Sequence, residues 1–400
     1  MEDFNPAEFV HVQIEKIKKA IGSEKVLIAV SGGVDSSTCA VLTHMAIGEN
    51  LICVILDDAF MRAGEPERVA EILSKPPLNL PVRIEHVQER FLNALRGLRD
   101  AEEKRKAFRK TFYETLSEIA NRENTRYLVQ GTILADIIET KGGVKTQHNV
   151  LEQIGINTRD LYGFKVVEPL VSLLKWQVRE VARYLKIPPE ISERQPFPGP
   201  GLSVRVVGEV RPDKLATLKK ATTITENKLS KYNPSQYFAA IIDDKEKPFP
   251  LDVEKIIHQT SETLNLERGQ VQVKVFADKA TGVRGRSRIY GEILALKCSK
   301  DGREILEVEV PKLVSLQEVI INCNPQFTRV LYAVAERKVK KPYVIVIRAV
   351  DTKDFLTAKV SPISWDMLDE TAEAILEKCP KVSTVYYDVT PKPPATIEME

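Results

Sequence analysis

An apolar run, Val26-Leu27-Ile28-Ala29-Val30, leads straight into Ser31-Gly32-Gly33-Val34-Asp35-Ser36 and then into Ser37-Thr38-Cys39-Ala40-Val41-Leu42. The order is buried strand, small-residue turn, helix start. Paired glycines let the main chain come close to an anion. The unpaired N–H groups of a first helical turn point at such an anion, and the helix dipole favours its charge. Ser31, Ser36 and Ser37 add hydroxyl donors. A plain tight turn with a serine cap is the bland alternative, but strand, turn and helix in the right order favour phosphate. No Gly-Lys-Ser/Thr follows the turn and no G-x-G-x-x-G is present, so it is neither a Walker loop nor a dinucleotide fingerprint.

Around this turn, apolar strands alternate with helical stretches. A helix is expected over 5–22, with Phe9, Val12, Ile14, Ile17 and Ile21 on its apolar face. Strands are expected at 25–30, 51–56, 82–87 and 126–130, with helices at 34–47, 65–74 and 100–122 between them. This alternation predicts an α/β fold with a doubly wound parallel sheet. Ligands of such sheets bind beyond the carboxyl ends of the strands. Ser31–Ser37, Asp57-Asp58 and Gln130-Gly131-Thr132 all fall there.

The texture changes at Gln195-Pro196-Phe197-Pro198-Gly199-Pro200-Gly201, which is neither helix nor central strand. It reads as a linker, as a rigid hinge lining a site mouth, or as both. A boundary near 207 divides the chain into 1–207 and an α+β domain over 208–400. In the second half, helices are expected at 213–230 and 252–265, and strands at 271–276, 289–297, 343–349 and 383–389. Asn324–Val334 echoes Cys379–Val389, and the strands from Tyr290 and Tyr343 correspond, which suggests a duplicated strand–helix–strand unit.

Composition narrows the function. A net charge of +2 gives no field to draw in a polyanion, so nucleic acid is not expected as a partner. The five cysteines are scattered and form no C-x-x-C pair, which argues against a zinc site or disulfide framework and for a cytoplasmic chain. No run reaches membrane-spanning length, so no membrane association is expected.

The turn resembles the S-G-G-x-D-S pyrophosphate loop of the ATP pyrophosphatases. With R-Q-P-F-P-G-P-G-L at 194–202 and K-P-P-A-T-I-E at 392–398, the chain is similar over nearly its whole length to the GMP synthetase family. Asp100–Lys106, Gln130–Thr132, Asp136–Glu139, Lys145–Val150 and Val167–Leu170 also match that family. The resemblance implies a ligase that uses XMP, ATP and ammonia. Attack on the α-phosphorus of ATP releases pyrophosphate, and ammonia then displaces AMP from adenylyl-XMP.

By the same resemblance, Ser31, Gly32, Gly33, Val34, Asp35, Ser36 and Ser37 hold the diphosphate with Mg²⁺, and Asp57 and Gly131 lie near the nucleotide. Asp35, Ser36 and Lys145 are implied in catalysis, and Arg105, Lys392 and Glu398 in binding XMP. No metal ligand is assigned. Without the resemblance, Glu102–Lys106 reads as a salt-bridged helix face, and the closing residues equally well as a solvated tail.

Only thirty residues precede the loop, too few for a glutaminase domain, so ammonia is expected from solution or from a separate glutaminase subunit. The chain departs from the family at Gln147, where the first of two histidines usually stands, at Leu151–Ile154 in the lid loop, and at Arg286, where an acidic residue is usual. A base-binding role is therefore not carried to position 286. The long stretch near 298–342 resembles the enlarged, duplicated dimerisation domain of eukaryotic-type members and leaves a monomer or a homodimer open.

The rival readings are an NAD synthetase-like amidating ligase, a tRNA-modifying pyrophosphatase and a non-catalytic nucleotide-binding subunit. The second should carry a basic patch or zinc cysteines, and this sequence has neither.

Overall fold

The computed structural model describes residues 4–141, 158–248, 253–285, 287–300, 304–353 and 356–400. The chain forms two compact units. One comprises Met1–Ala94 and Lys106–Gly199, the other Leu95–Arg105 and Pro200–Glu400. The division falls inside the Pro-Gly segment, and a short stretch before Lys106 belongs with the second unit.

In the first unit the strands are β1 (Val26–Ala29), β2 (Leu51–Asp57), β3 (Val82–His86), β4 (Tyr127–Val129) and β5 (Lys165–Val167). They pair in parallel in the order β3-β2-β1-β4-β5. The order reverses between β1 and β4, which makes that point the ligand crevice of the sheet. The helices are α1 (Pro6–Ile21), α2 (Val34–Ile47), α3 (Glu65–Ser74), α4 (Gln88–Leu95), α5 (Ala101–Arg122), α6 (Leu134–Lys141), α7 (Thr158–Tyr162), α8 (Lys175–Tyr184) and α9 (Pro189–Ser192), with the last residue of α4 and the first five of α5 belonging to the second unit.

Alternate strand residues feed two cores, as a doubly wound sheet requires. Val26, Ile28, Cys53 and Ile55 pack with Val10, Ile17 and Val178. Leu27, Ile52, Val54 and Leu128 pack with Tyr113, Leu116 and Ile119. Helix α1 is capped by Asn5, whose Oδ1 accepts from Ala7 N at 3.1 Å and Glu8 N at 3.3 Å. Its buried face is Val10, Gln13, Ile17 and Ile21. Val12, expected on that face, is exposed, because the face is rotated from the one read by hydrophobicity alone.

The second unit holds α10 (Pro212–Leu229), β6 (Gln236–Asp243), α11 (Val253–Leu264), β7 (Val271–Arg284) and β8 (Ser287–Cys298). It continues through α12 (Val310–Cys323), β9 (Phe327–Glu336), β10 (Tyr343–Asp351), β11 (Lys359–Val360), α13 (Trp365–Lys378) and β12 (Val382–Asp388). The sheet runs β11-β10-β12-β9-β8-β7, and β6 also pairs with β10.

The strand–helix–strand unit occurs twice, as β8–α12–β9 and β10–α13–β12, each with its strands parallel. The inner strands β9 and β12 meet antiparallel, while β7 and β6 flank β8 and β10 antiparallel. Each copy reads helix–strand–strand–helix–strand, and the copy from α11 to β9 is inserted between β6 and β10 of the other.

Candidate active site

Parallel pairing of β1 with β4 sets Leu27 beside Leu128 and Ile28 beside Val129. The turn after each strand therefore opens at the same end of the sheet. Gly32 adopts φ +75°, and a methyl group there would stand 2.6 Å from Val69 Cγ2. Both the conformation and the contact demand glycine. Gly33 is the N-cap of α2, and Ser37 N makes the first intrahelical bond, to Gly33 O at 3.1 Å. The N–H groups of Val34, Asp35 and Ser36 thus have no intrahelical acceptor. Ser31 and Ser36 face each other with their Oγ atoms 3.2 Å apart, and Ser36 Oγ also accepts from Ser31 N at 3.2 Å. Hydroxyls and amides converge on the turn.

Asp35 lies in the first turn of α2. Lys175 Nζ, at the start of α8, donates to its Oδ2 at 2.5 Å. Its Oδ1 is buried with no hydrogen-bond partner among the described residues, as is Ser37 Oγ. Burial pushes the Asp35 carboxyl above the ordinary carboxylate range, against the pull of Lys175. Arg194 pairs with Glu65, and a methyl at Gly32 would lie 3.6 Å from Arg194 NH1. The arginine that opens the Pro-Gly segment thus stands at the turn. Phe197 of the same segment lies 4.1 Å beneath the Arg62 guanidinium.

Gly131 sits after β4. A methyl group there would stand 2.9 Å from Ser36 N and 3.0 Å from Asp35 C. These are main-chain atoms of the first turn of α2, so they cannot swing aside. Gly131→Ala is expected to displace them at a cost of about 1–3 kcal/mol. Turnover should fall about tenfold or more at subsaturating ATP, checked by ATP titration and thermal melting. Asp57 accepts from Gln88 Nε2, and from Ala59 N at 3.4 Å.

In the second unit, Arg105 donates to the main-chain oxygen of Glu400. Burial, and next the neighbouring Arg288, lower its pKa to about 10. Glu398 is gripped by Arg205, whose Nε and NH2 each donate to it at 2.9 Å. The Glu400 side chain is fully buried against Lys104 and accepts from Gly208 N at 2.9 Å. The main chain of Lys392 exchanges hydrogen bonds with Ala358, at 2.8 and 3.0 Å. The closing residues are therefore built into the unit and are not a solvated tail. Lys145, Gln147, His148, residues 151–154 and Arg286 lie outside the described residues.

Lys175 and Arg205 escape sequence reasoning, since nothing in their neighbourhood marks them, whereas Arg288 stands two residues after Arg286 in a segment already compared with the family. Arg194 stands inside a motif already noted and could have been read from it.

An S-G-G-x-D-S turn at the switch point of a five-stranded parallel sheet defines a nucleotide-binding unit of the ATP pyrophosphatase class. Residues 7–202 match the family model described as NAD synthase, and residues 336–399 the one described as GMP synthase C terminal domain. The chain is 44% identical to the B subunit of glutamine-hydrolyzing GMP synthase from Sulfurisphaera tokodaii, over 99% of its length and 100% of that protein's. It is 43% identical to the protein of the same name from Saccharolobus solfataricus, again over 99% and 100%. Identity to that from Methanopyrus kandleri is 38% over 99% and 100%. The chain belongs to the family of GMP synthase B subunits.

Proposed function

We propose that this chain is the ATP-dependent synthetase subunit that converts XMP, ATP and ammonia into GMP, AMP and pyrophosphate. The observation that carries the reading is the turn at β1, where hydroxyls and unpaired amides converge at the head of α2 in a chain of this family. In this reading Ser31–Ser37 hold the diphosphate of ATP, leaving the α-phosphorus open. The XMP C2 oxygen attacks that phosphorus, and the bond to the departing pyrophosphate breaks. Donors already aimed at the departing diphosphate stabilise its charge without reorganising. Ammonia then adds at C2, AMP leaves with the activated oxygen, and the amine loses its protons.

Lys175 adds positive charge beside the loop. The unpartnered Asp35 Oδ1 suits Mg²⁺, a hard cation held by one or two carboxylates plus substrate phosphates. Mg²⁺ would neutralise the diphosphate as charge develops. Arg105 is read as holding the anionic end of XMP, with Lys392 as a second cation. Glu398 is read as facing the purine while Arg205 fixes its carboxylate. Lys145 keeps its role in catalysis from the resemblance. We place the reaction in the cytoplasm and assign ammonia delivery to a separate glutaminase subunit.

Pyrophosphate release measured with ATP, Mg²⁺, ammonium and XMP tests the reading, with deamido-NAD in parallel. Release with XMP alone is expected. Release only with deamido-NAD would move the chain to NAD synthesis, as the match over 7–202 allows. Release with neither would end the enzyme reading.

A further inference from the structure

Three fully buried charged side chains lie under residues 389–400. These are Arg329 on β9, Arg348 on β10 and Asp388 at the end of β12. Asp388 Oδ2 accepts from Arg329 NH1 at 2.7 Å and lies 2.8 Å from Arg348 NH1. One carboxylate between two guanidiniums leaves a buried positive charge in excess. Main-chain oxygens of the closing segment meet it. Arg348 Nε donates to Ile397 O at 2.8 Å, NH1 to Thr390 O at 2.9 Å, and NH2 to Thr396 O at 2.9 Å. Arg329 NH2 donates to Glu398 O, and to Thr396 Oγ1 at 3.0 Å.

One guanidinium thus holds both ends of the loop that carries Lys392, and the other holds the main chain at Glu398. Buried ion clusters of this kind are weak sources of stability, because desolvation offsets their attraction. What a planar, multiply bonded guanidinium supplies is a fixed geometry. The segment it fixes has no helix or strand of its own after β12.

We infer that Arg329 and Arg348 are positioning residues that clamp the 390–398 loop in the register presenting Lys392 and Glu398 to the purine nucleotide. The inference deepens the XMP reading and rests on it for the identity of the ligand. Neither arginine need touch that ligand. Each acts through the loop main chain.

The test uses Arg348→Gln and Arg348→Lys in the full chain. Lys keeps the charge but cannot span three carbonyls, so both single variants are expected to raise KM for XMP about tenfold or more. KM for ATP should stay within about twofold. Amide exchange over 389–400 should quicken while β6 and β7 keep their protection.

Parallel rises in both KM values, or unchanged exchange over 389–400, would overturn the clamp. If Arg348→Gln does not fold, Arg348→Lys carries the same comparisons. Faster exchange in a protein that releases no pyrophosphate with XMP would uphold the clamp and remove the XMP reading. XMP-dependent activity with unchanged exchange would do the reverse.

Discussion

Asp35→Ala is expected to lower XMP-dependent pyrophosphate release by about 10³-fold or more without unfolding the protein. The carboxylate is held on one oxygen by Lys175, and its other oxygen is buried and unpartnered among the described residues. Removing it takes away the acceptor suited to Mg²⁺ and releases the lysine from its place. Asp35→Asn keeps the shape, so a comparable loss there would assign the effect to charge. Asp35→Ala retaining activity within tenfold of the unaltered protein would remove Asp35 from the reaction.

Stability should move the other way. Burial holds the Asp35 carboxyl above its ordinary value, so the folded state binds that proton more tightly than the unfolded chain. Stability from this group therefore falls as pH rises from the ordinary value through the raised one. Above that interval Asp35→Ala should melt no lower than the unaltered protein, a separation of activity from stability common at functional sites. Activity that depends on the ionised form should fall as pH drops through the raised value. Asp35→Asn should abolish that acid limb.

The strand, turn and helix at 25–47 were legible because their chemistry is local: an apolar run, two glycines, hydroxyls and a helix start within a few residues. The parallel sheet followed from alternation of the same kind. Strand β6 was not legible, since Gln236–Asp243 is buried on nearly every residue and shows no period. Strand β7 runs to Arg284, eight residues beyond its apolar stretch, because pairing with β8 outlasts hydrophobicity.

The candidate site was readable where motifs carry it and opaque where topology does. Lys175 lies far along the chain from Asp35 and meets it only because α8 begins beside α2. The closing segment reads as a tail because the arginines that bury it stand in two strands whose neighbours give no hint of a buried charge. Leu95–Arg105 shows the same limit. No linear boundary conveys that a stretch before Lys106 belongs with residues 200–400.

With glutamine as the only nitrogen source, this chain by itself is expected to make GMP at least about 100-fold more slowly than with ammonium. Glutamine hydrolysis of the amidotransferase kind needs a nucleophile activated by a base, and a cysteine serves only as thiolate. Four of the five cysteines are buried. Burial pushes the Cys53 thiol up to about 12 and that of Cys298 to about 11, and raises Cys39 and Cys379 as well. The fifth, Cys323, is exposed at the end of α12, and among the described residues no histidine bonds to it. The four buried thiols are held in the protonated form, which is a poor nucleophile toward an amide. Nitrogen arriving as ammonia fits these thiols, and relatives named as one lettered subunit of a glutamine-hydrolyzing synthase fit the same division of labour. Parallel assays with ammonium, with glutamine, and with glutamine plus the glutaminase subunit of a related two-subunit synthase would measure it. Full rates on glutamine with this chain alone would overturn the division. Recovery only on adding the second protein would establish that the synthetase depends on it.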